Sequence, residues 1–313
     1  MSAHGAAGRV SVVIGAYNAA AWIGATLESV FSQTHPVAEV VVVDDGSMDR
    51  TADIVRSFRP RVQLLAEEHR GRPHRNRGIL ACHEDLVAFV DADDIWHPSK
   101  IARQLQLMTT RNTEWVYCES DWLDDATGLR VRASGVPVQE GDILESLLLN
   151  NFIVASTPMV TRRALEEAGY FEEGPEVAPV EDWDLWLRIA ARHPIACVHE
   201  KLVTLRLHPD SFLARTPLAQ RVQGEEHVIV RAVAREPLRL SRLQRRALSN
   251  VYHAAGVSEF RNGRMNESRT YFRKAWRQTP TRLESAVYVL MTYLGVKTSG
   301  LIVRLKRHLD LGK

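Results

Sequence analysis

Short apolar runs, each stopped by polar residues, recur through the first part of the chain: Val10-Ser11-Val12-Val13-Ile14, Val40-Val41-Val42-Val43, Val62-Gln63-Leu64-Leu65 and Leu86-Val87-Ala88-Phe89-Val90. Runs of this length, rich in β-branched residues, read as buried strands. The stretches between them repeat apolar positions at helical spacing. Ala19 to Ser32 does so through Trp22, Ile23, Leu27, Val30 and Phe31. Asp49 or Arg50-Thr51 opens a short helix through Phe58. Gly71 to Ala81 holds a loop and a helix carrying Arg72, Arg75 and Arg77. A helix over Pro98–Thr109 precedes a fifth strand, Trp115–Cys118. This alternation predicts an α/β fold with a mostly parallel sheet and right-handed crossovers.

Beyond Gly128 the pattern breaks up. Ile143–Asn150 and Arg162–Ala168 look helical, and Ser156–Val160 extended. In Glu181-Asp182-Trp183-Asp184-Leu185-Trp186-Leu187-Arg188, residues Trp183, Trp186, Leu187 and Ala190 fall on one helical face, while Asp184 and Arg188 pair at i,i+4. Ile195–Leu207 returns as extended chain. Residues 212–313 are mostly helix-forming. Val251 to Pro280 reads as two amphipathic helices around Asn262-Gly263-Arg264, resembling one tetratricopeptide-like hairpin, which must pack on something. Leu283 to Val303 is apolar with few charges, marginal as a membrane span. With Arg304, Lys306, Arg307 and His308 after it, it reads as an interfacial helix on an anionic leaflet or as a helix packed on protein.

Charge sharpens this division. The net charge of the 313 residues is only +2, yet residues 211–313 carry 20 Lys and Arg against 7 Asp and Glu. A basic tail on an acidic body fits an anionic surface or the body itself. It lacks a nucleic-acid-binding motif, so nucleic acid is not expected. Cys82, Cys118 and Cys197 are far apart and odd in number, which points to a reducing cytosol. Met1–Arg9 lacks an apolar core, so no signal peptide is expected.

The chemistry gathers at strand ends. Asp91-Ala92-Asp93-Asp94 sets three carboxylates at the end of the fourth apolar run. In a parallel α/β sheet ligands bind outside the carboxyl ends of strands. Extended backbone would aim Asp91 and Asp93 the same way. Hard carboxylate oxygens suit Mg²⁺ or Mn²⁺ shared with substrate phosphates. The plainer alternative is a polar turn in which Asp94 caps the helix opened by Pro98. Glu181 and Asp182 sit at a helix N-terminus, either as caps or with a carboxylate serving as general base towards a substrate hydroxyl. Arg206 and His208 would share one side of an extended segment; His208 could close a turn, either could contact phosphate, or His208 could ligate a metal. A dinucleotide-binding domain, with Asp44 or Asp45 on a ribose, would need G-x-G-x-x-G, and the first turn is Gly15-Ala16-Tyr17-Asn18. No phosphate-binding P-loop and no G-x-S-x-G nucleophile motif occurs.

Six pieces in one order therefore stand out: Val10–Asn18; Val43-Asp44-Asp45-Gly46-Ser47; Gly71 with Arg75-Asn76-Arg77-Gly78; Asp91-Ala92-Asp93-Asp94; Glu181-Asp182-Trp183-Asp184; and Arg206-Leu207-His208. Together they resemble the inverting family-2 glycosyltransferases of the GT-A fold. The resemblance covers about residues 8 to 211. It implies a Rossmann-like GT-A catalytic domain over 1–211, with a nucleotide-sugar half (about 8–118) and an acceptor half (about 119–211), followed by the helical region 212–313. It implies that Gly15, Ala16 and Tyr17 line the nucleotide pocket, that Asp45 binds the base, that Arg75 sits beside the nucleotide and that Asp91 reaches the ribose side. Asp93 would ligate Mn²⁺ or Mg²⁺ at the diphosphate, and Asp182 would deprotonate the acceptor hydroxyl. Arg70–Asn76 is more basic than the family's usual loop, which leaves open which arginine meets the nucleotide.

The expected donor is a nucleoside-diphosphate sugar, a UDP-sugar first. The acceptor would be a carbohydrate or lipid-linked hydroxyl in bacterial surface-polysaccharide synthesis. The expected place is the cytoplasm or the inner face of the membrane, with a homodimer open. Rival functions are a nucleotidyltransferase on a related sheet and a non-catalytic nucleotide-sugar or protein-binding module.

Overall fold

A computed structural model describes residues 8–69, 75–131 and 138–293. The chain divides into two compact units. The first runs to Leu147 and resumes over Asn151–Arg215; the second takes Leu148–Asn150 and begins again at Thr216.

The first unit opens with alternating elements: β1 (Val10–Ala16), α1 (Ile23–Phe31), β2 (Glu39–Asp44), α2 (Thr51–Ser57), β3 (Gln63–Ala66), α3 (Arg75–Ala81) and β4 (Leu86–Asp91). Every residue of β1 is buried. The valine-rich runs thus behave as strands covered on both faces. They pair in parallel in the order β3-β2-β1-β4. The register sets Ala16 beside Asp44 and Gly15 beside Asp91, so the carboxyl ends of β1, β2 and β4 lie together at one edge of the sheet.

The rest is less regular: β5 (Ile95–Trp96), α4 (Lys100–Arg111), β6 (Trp115–Asp124), β7 (Arg130–Val131), α5 (Leu144–Leu149), β8 (Met159–Thr161), α6 (Arg162–Ala168), α7 (Glu181–Ala190), β9 (Ala196–Leu207) and α8 (Phe212–Arg215). The fifth strand extends six residues past Cys118 and does not pair with β4. Three-residue β8 lies between them, antiparallel to both, so β6 keeps the direction of β4. β9 then adds in parallel to β6, with β5 antiparallel on its far side. The sheet is mostly parallel and flanked by helices, as expected.

Two local expectations fail. Residues Asp91–Asp94 form a turn, with the Asp94 N–H donating to Asp91 O at 3.1 Å, so simple strand alternation does not orient Asp91 and Asp93. Asp94 also caps no helix: α4 starts at Lys100 after Ser99. Its carboxylate accepts instead from the Ser156 hydroxyl and from the Arg206 N–H at 3.2 Å.

Two packing features place the site. A Cβ on Gly78 would lie 2.6 Å from Val13 Cγ1 and 3.1 Å from Val43 Cγ2, so a glycine here lets α3 lie directly on β1 and β2. That approach brings the first residue of α3, Arg75, to the strand ends. Helix α7 is almost wholly buried. Its Trp186 packs among Phe89, Trp115 and Phe171, and the Trp183 indole N–H donates to Leu147 O at 2.8 Å.

The second unit is helical: α9 (Leu218–Arg235), α10 (Pro237–Leu240), α11 (Gln244–Arg261) and α12 (Met265–Gln278), then helical residues 283–293. The hairpin expected around Asn262-Gly263-Arg264 joins α11 to α12, with Gly263 at φ +76°. Phe260, Phe272 and Met291 form its core. Among the described residues no helix is long and apolar enough to cross a membrane. Residues 70–74, with Gly71 and Arg72, and residues 294–313, with the end of the apolar stretch and the basic residues after it, lie outside the described residues.

Candidate functional site

The end of β4 meets the start of α3 and the start of α7 through one guanidinium. Arg75 Nη2 lies 2.6 Å from Asp91 Oδ1, and Nη1 lies 2.8 Å from Glu181 Oε1. Its side chain is 11% exposed, and it faces the Phe171 ring at 5.7 Å. Burial opposes the charge, but Asp91 and Glu181 outweigh it and raise the pKa further, so Arg75 stays a cation. Asn76 fixes the same turn: its amide donates to Phe171 O at 2.8 Å and accepts from Phe171 N at 2.9 Å. The Arg-Asn pair thus ties strand β4 to α7 and to the segment before it.

Asp182 begins α7 beside this bridge. Burial, then the charge of Glu181, pushes its carboxyl up to about 7, with Arg75 pulling the other way. Its Oδ1 accepts from the Trp183 N–H at 2.6 Å. Glu181 pairs with Arg75 and caps no helix. Asp184, one turn inside, is fully buried and pairs with Arg188 at 2.8 Å, a structural contact.

Asp93 lies in the same turn as Asp91. Its Oδ2 is 2.8 Å from His208 Nε2, across 115 residues of sequence. Burial and the Asp91 charge push the Asp93 carboxyl up, and His208 pulls it down. Asp94 is raised more strongly, by burial and then by Asp93 and Asp91. Ser156 organises the turn, donating to Asp94 and accepting from the Asp91 N–H at 2.9 Å. Asp91 is therefore common to both halves: its charge raises Asp93 and Asp182 alike.

At the β1–β2 edge, Asp45 is fully buried and its N–H donates to Ala16 O at 2.9 Å. Its carboxylate lies 3.0 Å from His69 Nδ1. The His69 ring stacks on Tyr17 at 4.1 Å, with 14° between the planes. Gly15, Ala16, Tyr17 and Asp45 thus come together, with His69 among them. Arg206 behaves differently: its guanidinium pairs with Asp125 at 2.8 Å, and only its backbone reaches the aspartate turn.

Asp93 and His208 together offer a hard oxygen and an imidazole nitrogen, a mixed donor set that suits Mn²⁺ better than the oxygen-seeking Mg²⁺. Burial first, then the crowding of Asp91, Asp93 and Asp94, raises the Asp93 and Asp94 carboxyls, and a bound cation would favour their ionised forms. Among the described residues no three such groups converge to hold a cation unaided. A cation here would complete its shell with ligand oxygens, as Mg²⁺ does with substrate phosphates.

Sequence reasoning missed His69, Ser156, Trp22 and Asp125. Trp22 falls within the apolar spacing of a helix and reads as core; the others carry no motif.

The family model for glycosyl transferase family 2 matches residues 11–169, half of the chain. The chain belongs to glycosyl transferase family 2. The matched part of this family-2 chain includes Asp45, Arg75, Asp91 and Asp93; α7 and β9, with Asp182 and His208, follow it. Over 192 residues the chain is 30% identical to the putative teichuronic acid biosynthesis glycosyltransferase TuaG of Bacillus subtilis, covering 58% of this chain and 71% of TuaG. Two further curated relatives, uncharacterized glycosyltransferases of Rickettsia bellii and Nostoc, are 27% and 32% identical, and the match spans only 30% and 38% of their lengths.

Solved structures share the GT-A fold. TarS 1–349 of S. aureus in complex with UDP-GlcNAc superposes with a TM-score of 0.64 at 17% identity, covering 91% of this chain and 89% of that one. The mannosyltransferase PcManGT of Pyrobaculum calidifontis, in complex with GDP-Man and Mn²⁺, gives 0.56 at 19% identity, covering 91% and 86%.

Proposed function

We propose that this chain transfers a glycosyl group from a nucleoside-diphosphate sugar to a hydroxyl acceptor in a cell-surface polysaccharide or lipid-linked precursor, inverting the anomeric carbon. The observation that carries the reading is the Arg75 bridge, which joins the Asp91–Asp93 turn to the helix start bearing Asp182.

Asp182 is the base. Ionised, it takes the proton of the acceptor hydroxyl as that oxygen attacks, and a carboxyl pushed up to about 7 is a far better proton acceptor than an ordinary aspartate. The product is a glycoside, and the nucleoside diphosphate leaves with the bonding pair. One displacement of this kind inverts the carbon and needs no protein nucleophile. Tyr17 and Asp45 hold the nucleobase, and Asp91 the ribose. Asp93 and His208 would hold a divalent cation, which when bound offsets the negative charge growing on the diphosphate. TuaG supports a surface-polysaccharide acceptor by its name, and the TarS complex makes a UDP-sugar the first donor to try.

A peripheral membrane position is part of the proposal. It is supported by the outward-facing Leu283, Val287 and Leu290 at i, i+4 and i+7, at 71%, 50% and 67% exposure, in the basic part of the chain. Cosedimentation with anionic but not neutral vesicles would bear it out; equal partition would end it.

The deciding experiment measures nucleoside diphosphate released from a panel of nucleotide sugars with Mn²⁺ and a polysaccharide acceptor. Asp182→Asn and Asp93→Asn should each abolish turnover with the fold intact. Full turnover by Asp182→Asn would remove the base assignment, and pyrophosphate as product would replace the reaction class.

A further inference from the structure

His208 would be an unusual metal ligand in one respect. A ligating imidazole ordinarily donates its second ring nitrogen to a carboxylate or carbonyl, which fixes its orientation. Here Nε2 faces Asp93, while Nδ1 is buried and makes no hydrogen bond among the described residues. The ring, 4% exposed, is held by its face instead. The Trp22 indole lies over it with ring centroids 3.8 Å apart and 31° between the planes. Trp22 is itself anchored, because its Nε1–H donates to Asp125 Oδ2 at 3.1 Å. Asp125 is fixed in turn by the Arg206 guanidinium at 2.8 Å and by its own N–H to Leu207 O at 3.0 Å. Trp22 stands just before α1, and Asp125 just after β6; two separate segments therefore converge on one histidine.

We infer that Trp22, anchored by Asp125, is a positioning residue that sets the His208 ring with Nε2 towards Asp93, so that a divalent cation meets a pre-oriented donor pair. This rests on the metal reading of Asp93 and His208 above. The indole supplies a flat surface against the face of the His208 ring and acts through that ring. A ring free to turn about χ2 would spend part of its time with Nε2 away from Asp93, and that lost fraction weakens the ion's affinity directly. Losing the hydrogen-bonded outer-shell partner that usually orients a ligating histidine costs about 10- to 100-fold in metal affinity, and the stacked indole takes that partner's place here. The contact also gives Arg206 a purpose: it secures Asp125, which secures Trp22.

The test is Mn²⁺ binding to the full chain with UDP present, followed by the electron paramagnetic resonance signal of free Mn²⁺. Trp22→Ala should weaken Mn²⁺ at least ~10-fold, and Trp22→Leu, which keeps apolar bulk but not the flat face, should do the same. Trp22→Phe, which keeps a ring over His208, should restore most of the affinity. UDP binding without Mn²⁺ should be unchanged in all three, a result that a general loss of packing would not give. Unaltered Mn²⁺ affinity in the folded Ala or Leu variant overturns the inference, as does a Phe variant as weak as Ala. Wild-type Mn²⁺ affinity in Asp93→Asn would instead remove the metal site itself, leaving the two failures distinguishable.

Discussion

Asp182→Asn separates the proposed base from a residue that merely starts a helix. Burial and the neighbouring Glu181 hold this carboxyl at about 7, against an ordinary value of about 3.9. The folded state therefore keeps its proton over a range where the unfolded chain has lost it. Stability tied to Asp182 is complete below about pH 4, falls as pH rises towards 7, and is flat above. About three pH units of displacement correspond to ~4 kcal/mol at most. The side chain keeps some contact with water, so about 2 kcal/mol is the working expectation. Asparagine has the same shape and no charge to desolvate. The variant should match wild type near pH 4.5 and exceed it by about 2 kcal/mol at pH 8 in urea unfolding. Activity should move the opposite way: the variant is inactive throughout, while the wild-type rate climbs with pH and is half-maximal near 7. A stability gap that does not change with pH, or a wild type more stable at pH 8, would refute the argument.

Other outcomes follow from single contacts. Lys100 is fully buried, with Nζ 2.8 Å from Gln104 Oε1, and burial pushes it down to about 8. Because its folded pKa lies below the unfolded one, wild-type stability should rise between pH 8 and about 10.4, and Lys100→Met should abolish that rise in urea titrations. Gly78→Ala should cost about 1–3 kcal/mol in unfolding experiments, because its Cβ meets the buried Val13 and Val43, and it should lower turnover by moving Arg75. Gly256→Ala puts a Cβ 2.8 Å from the Phe272 ring and should loosen the α11–α12 hairpin, seen as faster amide exchange over those helices. His69→Ala removes the ring stacked on Tyr17 and should change the affinity for UDP measured by calorimetry.

The parallel part of the fold was legible because its strands advertise themselves. Val40–Val43 and Leu86–Val90 are unbroken apolar runs between polar stops, and the helices between them keep their spacing. The order β4-β8-β6-β9 was not legible. Three-residue β8 carries too little pattern to announce itself, and its insertion between β4 and β6 is decided by packing across the sheet. Helix starts drifted for a related reason: Ala19–Trp22 and Pro98–Ser99 have helix-compatible residues, yet Ala19 N–H donates to the Thr51 hydroxyl and keeps that stretch in a turn. For the site, spacing could nominate Asp91, Asp93, Asp182 and His208. Spacing could not show that Asp93 meets His208 or that Arg75 spans Asp91 and Glu181, since those pairings join residues more than a hundred positions apart or link separate elements.

The distribution of charge argues that this cluster is kept for a ligand. A structural ion-pair network answers each buried carboxylate with a cation or with enough N–H and O–H donors. Asp91 and Glu181 are answered in that way, by Arg75. Asp94 is bonded by Ser156 and by the Arg206 N–H, contacts that hold the turn in shape. Asp93 and Asp182 have no guanidinium against them among the described residues. One has only an imidazole and the other only a helix N–H, and both are pushed above the ordinary carboxylate range. Asparagine at either position would relieve that cost within the same volume. Asp93 and Asp182, both raised and neither paired with a guanidinium among the described residues, are also the two acids that the proposed reaction requires, one to share a cation with a leaving diphosphate and one to accept a proton. Arg75 holds them on a common frame without neutralising either.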